Sequence, residues 1–349
     1  MVIKKKLNVI LVGLGKMGLI WIDTIKRSNQ VICVGYVESN NELLNRIGKE
    51  YGIPRELLFS DLRVAAQNNS ADFIINVTPP ATHKAVSFTA FEYGLHVLSE
   101  KPVAESLESA IEILNYVNTT NLKYMISQDY RFTNGSRTVS NHLRNKQIGS
   151  IGHIDLRFNR NPSFEKGNFR LTELDYPMII DMSIHHFDLM RYFMQKNPKS
   201  ITTRSYNPNW SKYKGDAAHS MIIECENFHI NYSGSWCAIG PQTHRAGTWQ
   251  IDGSSGSMTW DGMNSIYVNK TNTTTKRDVI PLIDLKCQAQ DYSLTEFVEA
   301  ITKDRNPECS IHDNIVSFAM VFCAVESAKR GEEVFLEEIL TNFMERSSL

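Results

Sequence analysis

Short β-branched apolar runs recur through the first third of the chain, at residues 7–12, 31–37, 72–77 and 96–99, with a fifth at 123–127. Runs of this kind predict strands buried on both faces. Between them lie stretches with helical character, at 16–28 and 83–93, the second stopped at Gly94. Strand and helix in regular alternation predict a parallel sheet covered on both sides. A helix to about residue 146 and a strand at 153–159 follow. From about residue 199 the pattern changes: strands at 200–206, 218–225, 228–236, 248–252, 257–260 and 265–269 succeed one another without helices. Alternation such as His229-Ile230-Asn231-Tyr232-Ser233 predicts an antiparallel sheet with one face packed on helices. Its other face is expected to carry large residues, with Trp236, Trp249 and Trp260 nearby, and such a face needs covering. A polar hairpin tip at 269–276, helices at about 291–303 and 313–330 and a strand at 334–336 complete the pattern. The chain therefore divides into an α/β domain at 1–127 and an α+β domain with a large, mostly antiparallel, open-faced sheet at 128–349.

The first strand ends in Gly13-Leu14-Gly15-Lys16-Met17-Gly18 and a helix follows at once. In this G-x-G-x-x-G spacing the first glycine allows the tight turn, the second lets backbone approach a pyrophosphate, and the third lets helix and strand pack closely. The helix N-terminus adds free N–H groups and partial positive charge. Glycines at this spacing also mark turns that bind nothing, so the context decides. The second strand ends at Glu38, twenty positions after Gly18, where a dinucleotide fold places the acid that accepts from the adenosine ribose. Ser39-Asn40-Asn41 offers no arginine for a 2′-phosphate, and Glu38 would repel one, so NAD is expected over NADP. Thr78-Pro79-Pro80-Ala81-Thr82-His83 crosses the carboxyl edge of the sheet, where open α/β folds bind ligands. Glu100-Lys101-Pro102 ends the fourth strand at the same edge, although by itself Lys101 reads more simply as an ordinary loop lysine.

Composition narrows the function classes. The 349 residues suit two domains, and a formal net charge of −1 gives no pull toward nucleic acid or an anionic membrane. The six cysteines are scattered without a C-x-x-C pair and read as reduced thiols. No apolar run reads as a leader or reaches spanning length, so a soluble cytoplasmic protein is expected.

In the second domain Ile180, Ile184, Phe187 and Met190 recur at helical spacing. Asp181 and His185 fall i, i+4 on that helix, with Asp188 three further on. A carboxylate one turn from a histidine can orient the ring and stabilise its protonated form, which a general base near neutrality needs. Two plainer readings compete. Aspartate and histidine four apart also form simple surface pairs, and Asp181, His185, His186 and Asp188 are all metal-ligand types. Their spacing spreads them around the helix, and no second ligand cluster follows, so no metal is expected.

Taken in order and spacing, the glycine turn, Glu38, Thr78-Pro79-Pro80 with His83, Glu100-Lys101-Pro102 and Asp181 with His185 resemble the Gfo/Idh/MocA oxidoreductases over nearly the whole chain. The resemblance implies a Rossmann domain joined to an α/β domain built on a large open sheet. It implies NAD held by Gly13 to Gly18, Glu38, Thr78, Pro79, His83, Glu100, Lys101 and Gln128. It implies Lys101, Asp181 and His185 as catalytic groups. Substrate contacts from Lys101, Asp181, His185 and Arg131 follow from the same likeness, and Asn159, where the strand at 153–159 runs into a loop, stands in the right order to reach the same pocket. The implied substrate is a sugar, inositol or related polyol, and the implied assembly is a dimer or tetramer through the open sheet face. Many relatives carry glycines before this aspartate, where the present chain has Tyr176-Pro177-Met178. The tryptophans are expected at an interface or in the core, though they could instead stack on sugars. Two other activities fit the same motifs: a glycosidase that retains NAD, and a dinucleotide- or sugar-sensing regulator without chemistry, although a regulator would be expected to have lost Lys101 or His185.

Overall fold

The computed structural model describes residues 6–270 and 277–346. Six strands, β1 (Leu7–Val12), β2 (Val31–Val37), β3 (Leu58–Phe59), β4 (Phe73–Asn76), β5 (His96–Ser99) and β6 (Tyr124–Ile126), form a parallel sheet in the order β3-β2-β1-β4-β5-β6. Val9, Ile10, Leu11, Phe73, Ile74 and Ile75 at its centre are fully buried, as expected of strands covered on both faces. Helices α1 (Lys16–Arg27), α2 (Asn41–Glu50), α3 (Leu62–Asn68), α4 (Pro80–Glu92) and α5 (Leu107–Asn118) alternate with them. Helix α4 starts three residues earlier than the sequence pattern suggests. Pro80 occupies its first turn, where a missing N–H costs nothing. The strand order reverses between β1 and β4, so the glycine turn and the Thr78 loop leave the sheet on either side of one crevice.

The chain forms two compact units, and their boundary corrects the division at 127/128. Residues up to Asp129 make the first unit together with Cys287–Ile315, which return to it between the two main segments of the second unit, Tyr130–Lys286 and Val316–Glu345. The returning helix belongs with the parallel sheet because its apolar face is buried there. Phe297 meets Phe73 edge-on at 5.4 Å, and Ser127 donates to Ser293 at 3.2 Å. A pairing so distant in sequence leaves no local signal.

In the second unit, helices α6 (Asn134–Arg144), α7 (Phe169–Thr172) and α8 (Ile184–Met194) accompany a nine-stranded sheet. Its strands are β7 (Ile151–Asn159), β8 (Ser200–Tyr206), β9 (Ala218–Glu224), β10 (His229–Ser235), β11 (Thr248–Gly253), β12 (Gly256–Trp260), β13 (Ile266–Lys270), β14 (Asp278–Val279) and β15 (Glu333–Phe335). They lie in the order β14-β13-β12-β11-β7-β10-β9-β8-β15, and only β7 with β10 runs parallel. Trp236, Trp249 and Trp260 are buried rather than displayed on the open face. Phe193 of α8 packs edge-on against Trp249 at 5.1 Å and Trp260 at 5.8 Å. The open face is mainly polar instead: Thr202, Ile222, Asn231, Asp155, Gln250 and Thr259 align across six strands, and Ile222 is the one large apolar residue among them. Period-two alternation put the aromatics on the helix side, a choice that the pattern itself leaves open.

The chain ends in α9 (Ala289–Thr302), α10 (Ile311–Arg330) and α11 (Leu336–Arg346). Helix α10 is long and apolar enough to cross a membrane by composition, but most of it is buried within the fold. Leu336, expected in the last strand, opens α11. The hairpin tip expected at 269–276 falls almost entirely outside the described residues.

Candidate active site

The crevice of the first unit holds a cavity of about 850 Å³, lined in part by Gly13, Gly15, Lys16, Met17, Glu38, Thr78 and Pro79. Gly13 has φ +98°, and a Cβ there would lie 2.9 Å from the Val77 carbonyl carbon. A Cβ on Gly18 would lie 2.3 Å from the Gly13 carbonyl oxygen, so turn and helix close only without side chains. A Cβ on Gly15 would meet no protein atom within 4 Å. The second glycine therefore leaves room on the cavity side, which is what close approach of a pyrophosphate needs. No side chain caps α1, whose first residues Lys16 and Met17 face the cavity, so its N–H groups are available to an anion.

Glu38 is fixed before any ligand arrives. The Leu14 N–H donates to its Oε2 at 3.0 Å and the Asn40 N–H to its Oε1 at 3.0 Å. Each oxygen keeps a further lone pair for a ribose hydroxyl. Thr78 is oriented by its own hydroxyl, which donates to Asn76 Oδ1 at 2.7 Å. These residues fit a dinucleotide: glycines where backbone must approach, uncapped N–H groups for phosphate and an aimed carboxylate for the ribose.

Other residues expected at the cofactor stand behind the cavity wall. Leu14 and Gly18 are buried and act through backbone. His83 is buried, with Nδ1 2.8 Å from the Pro102 carbonyl oxygen and Nε2 2.7 Å from that of Thr78. Burial holds its pKa below the ordinary value, so a neutral ring donates to one carbonyl at a time. His83 thus braces the Thr78 loop against the Pro102 loop. Glu100 accepts from the Trp21 indole N–H at 2.9 Å and anchors α1 to the end of β5. Burial, with the charge of Asp129 adding to it, pushes its carboxyl up to about 7. Lys101 is half-buried just after it, and Gln128 is fully buried after β6.

In the second unit the expected straight helix is interrupted. Ile179–Ser183 forms a π-turn before α8, a feature that concentrates at functional sites. Asp181 sits in this wide turn and Arg170 of α7 grips it in a fork, with Nε to Oδ2 at 2.8 Å and Nη2 to Oδ1 at 3.0 Å. About a quarter of each side chain remains exposed. Asn168 caps α7 by accepting from the Arg170 N–H at 3.1 Å, which sets where the guanidinium leaves the backbone. His185 is buried, and its ring stacks on Tyr130 with centroids 4.3 Å apart at 12°.

Asp188, expected to hold the imidazole of His185 or its helix in place, is engaged by Arg131, with Nε to Oδ2 at 2.5 Å and Nη2 to Oδ1 at 2.6 Å, and by Ser317 at 3.2 Å. Arg131, which the resemblance implies as a substrate contact, is a residue only 5% exposed whose guanidinium pairs with this carboxylate, and a buried charge is tolerated only when matched. Asn159 closes β7, where its N–H donates to Thr243 Oγ1 at 3.1 Å and its amide, correctly oriented, accepts from Arg157 Nε at 2.8 Å. His186 turns to the core. The Arg245 carbonyl oxygen, 2.9 Å from Nε2, can only accept, so Nε2 carries the proton and Nδ1 accepts from the Tyr232 hydroxyl at 2.5 Å. Asp181, His186 and Asp188 therefore serve three different partners. The segments 128–132 and 159–170 are expected to line the pocket, but no role for Tyr130 or Arg170 and no π-turn can be read from them; an arginine in a loop and a tyrosine in a connector carry no signal without their partners.

Comparison with known proteins agrees with this architecture. D-apiose dehydrogenase from Rhizobium rhizogenes is 22% identical, over 92% of this chain and 93% of that protein. Inositol 2-dehydrogenase from Pseudarthrobacter chlorophenolicus is 23% identical, over 94% of this chain and 95% of that protein. An oxidoreductase from Agrobacterium radiobacter, solved with NAD+, L-tartaric acid and magnesium, shares the fold at TM-score 0.85 with 19% identity, covering 96% of this chain and 100% of that one. The family model "Oxidoreductase family, NAD-binding Rossmann fold" matches residues 7–128, and "GFO/IDH/MocA C-terminal domain" matches residues 136–259. The chain belongs to the Gfo/Idh/MocA oxidoreductase family, with a dinucleotide-binding Rossmann domain at its start.

Proposed function

We propose that this protein is an NAD(H)-dependent dehydrogenase transferring hydride between nicotinamide and a secondary alcohol of a sugar, inositol or related polyol. The observation that carries the reading is His185, buried and held flat on Tyr130, one turn after a carboxylate gripped by an arginine. The names of the inositol and apiose dehydrogenases among its relatives support the substrate class.

Bound NAD supplies the hydride acceptor. His185 takes the proton of the reacting hydroxyl, and its stacking keeps the ring from turning as it does so. Lys101 hydrogen-bonds the same oxygen and stabilises its developing negative charge. Asp181, aimed by Arg170, accepts from a second hydroxyl and so fixes which carbon reacts. Glu38, pinned by two backbone amides, favours NAD over NADP. Self-association through the open sheet face belongs to the same reading, and light scattering on the purified protein tests it.

The deciding experiment follows NADH absorbance over a panel of inositols, pentoses, hexoses and sugar acids, with NADP run beside NAD. Net NADH from a free polyol is expected. Aryl-glycoside cleavage without net NADH would replace this reading with a glycosidase that retains its cofactor. Dinucleotide binding with no turnover of any kind would favour a sensor.

A further inference from the structure

Ser39-Asn40-Asn41 brings no cation to the ribose end of the cavity, but the fold does. The Glu38 N–H donates to the Phe59 carbonyl at 3.1 Å, so the chain beyond β3 runs beside the end of β2. That next segment, Ser60-Asp61-Leu62-Arg63, lines the same cavity as Glu38 and Ser39. Asp61 is turned toward the backbone, where its Oδ1 accepts from the Arg63 N–H at 2.6 Å. The Arg63 guanidinium is held by Glu92 of α4 through Nη1 at 3.1 Å and Nη2 at 3.3 Å. Both partners are about half exposed, and an exposed pair of this kind opens at little cost.

We propose that Arg63 is a latent 2′-phosphate ligand, and that dinucleotide selectivity is set by the contest between it and Glu38. The inference rests on reading this cavity as the dinucleotide site. Glu38 cannot swing aside, because Leu14 and Asn40 hold both its oxygens, so its charge meets a 2′-phosphate at full strength. Arg63 can leave Glu92, because its planar guanidinium forks onto a phosphate as readily as onto a carboxylate, and the phosphate carries the greater charge. With Glu38 in place the repulsion wins and NAD is preferred. Without it the cation on the same wall has a partner. Lys16, the other cation lining the cavity, lies in the glycine turn and serves both dinucleotides alike.

The test measures Kd for NAD and NADP by quenching of intrinsic fluorescence or by calorimetry, and reads their ratio, Kd(NADP)/Kd(NAD). In Glu38→Ser the ratio should fall by about 100-fold or more, since a repulsive contact is removed and a charge-assisted one gained. Adding Arg63→Ala to Glu38→Ser should raise it again by about tenfold, and adding Glu92→Gln instead should lower it further. Lys16→Ala should weaken both ligands and leave the ratio within about threefold. The proposal is overturned if Glu38→Ser and Glu38→Ser/Arg63→Ala give the same ratio, or if Arg63→Ala weakens NAD and NADP equally, as stacking on adenine would. Should Glu38→Ser fail to fold, Arg63→Ala alone decides: the ratio must rise above that of the unmodified protein, and an unchanged ratio sinks the idea. Failure of the unmodified protein to bind either dinucleotide would overturn the cavity reading itself.

Discussion

The two units build their functional residues in opposite ways. In the first, backbone does most of the work: three glycines set a turn, an uncapped helix end faces a cavity, and two main-chain N–H groups aim Glu38. In the second, side chains from separated segments do it: Arg170 grips Asp181, Tyr130 flanks His185, and Arg131 occupies Asp188. Backbone features are local and announce themselves as spacing. Pairs between segments are made by the fold and have no spacing to read.

The largest effect should come from the second unit. His185→Ala is expected to lower kcat by about two to four orders of magnitude while leaving NAD affinity nearly unchanged. Unaltered turnover of the true substrate would remove His185 from the chemistry. In the first unit, Gly13→Ala forces a side chain into φ +98° and against the Val77 carbonyl. It should cost about 1–3 kcal/mol of stability in urea melts and weaken NAD as well, because turn and cofactor share the same backbone. A glycine variant that kept its melting curve would show the turn to be looser than its geometry indicates. Arg170→Gln should raise the polyol KM by about tenfold with kcat changed far less, as the loss of one charge-assisted fork would. Asp181→Asn combined with it should add little, because both act on one contact.

Acidity separates the units most subtly. In the second unit, burial holds His186 down at about 4, and burial with the neighbouring His186 holds His219 at about 3, both from an ordinary 6.5. Between about 6.5 and 4 the unfolded chain binds protons there that the folded chain does not, so this contribution is present above 6.5 and is lost as pH falls. Glu100 in the first unit has the opposite sign. Its folded value of about 7 lies above the ordinary 4.5, so its contribution is full below 4.5 and is lost as pH rises through 7. Each group is worth at most about 1.4 kcal/mol per pH unit. Urea midpoints should therefore fall in mild acid, more steeply in Glu100→Gln and less steeply in His186→Asn/His219→Asn. Parallel curves for all three proteins would show that other groups govern the acid limb.

Much of the fold was legible before any coordinates. The strands at 31–37, 96–99 and 200–206 fall where their apolar runs ended, and Gly94 stops α4 with φ +67° as a C-cap glycine does. The first-unit site was legible to the same degree, in the glycine turn and in Glu38. The differences share one cause. Residues 287–315 join the first unit and not the second, the open sheet face is mainly polar where large residues are expected, and Arg131 pairs with Asp188 across 57 residues. Each concerned a partner distant in the chain.

By itself the sequence determined the alternation of elements, the turn that only glycine can make and the residue types that can move a proton or hold a ribose. These follow from local sterics and hydrogen bonding, which act within a few residues. Tertiary structure alone decided that Asp181 faces Arg170 from a π-turn, that His185 lies flat on Tyr130, and that Arg63 reaches the cavity beside Glu38. A charge or a ring acquires its role from what lies against it, and that is settled only when distant segments pack.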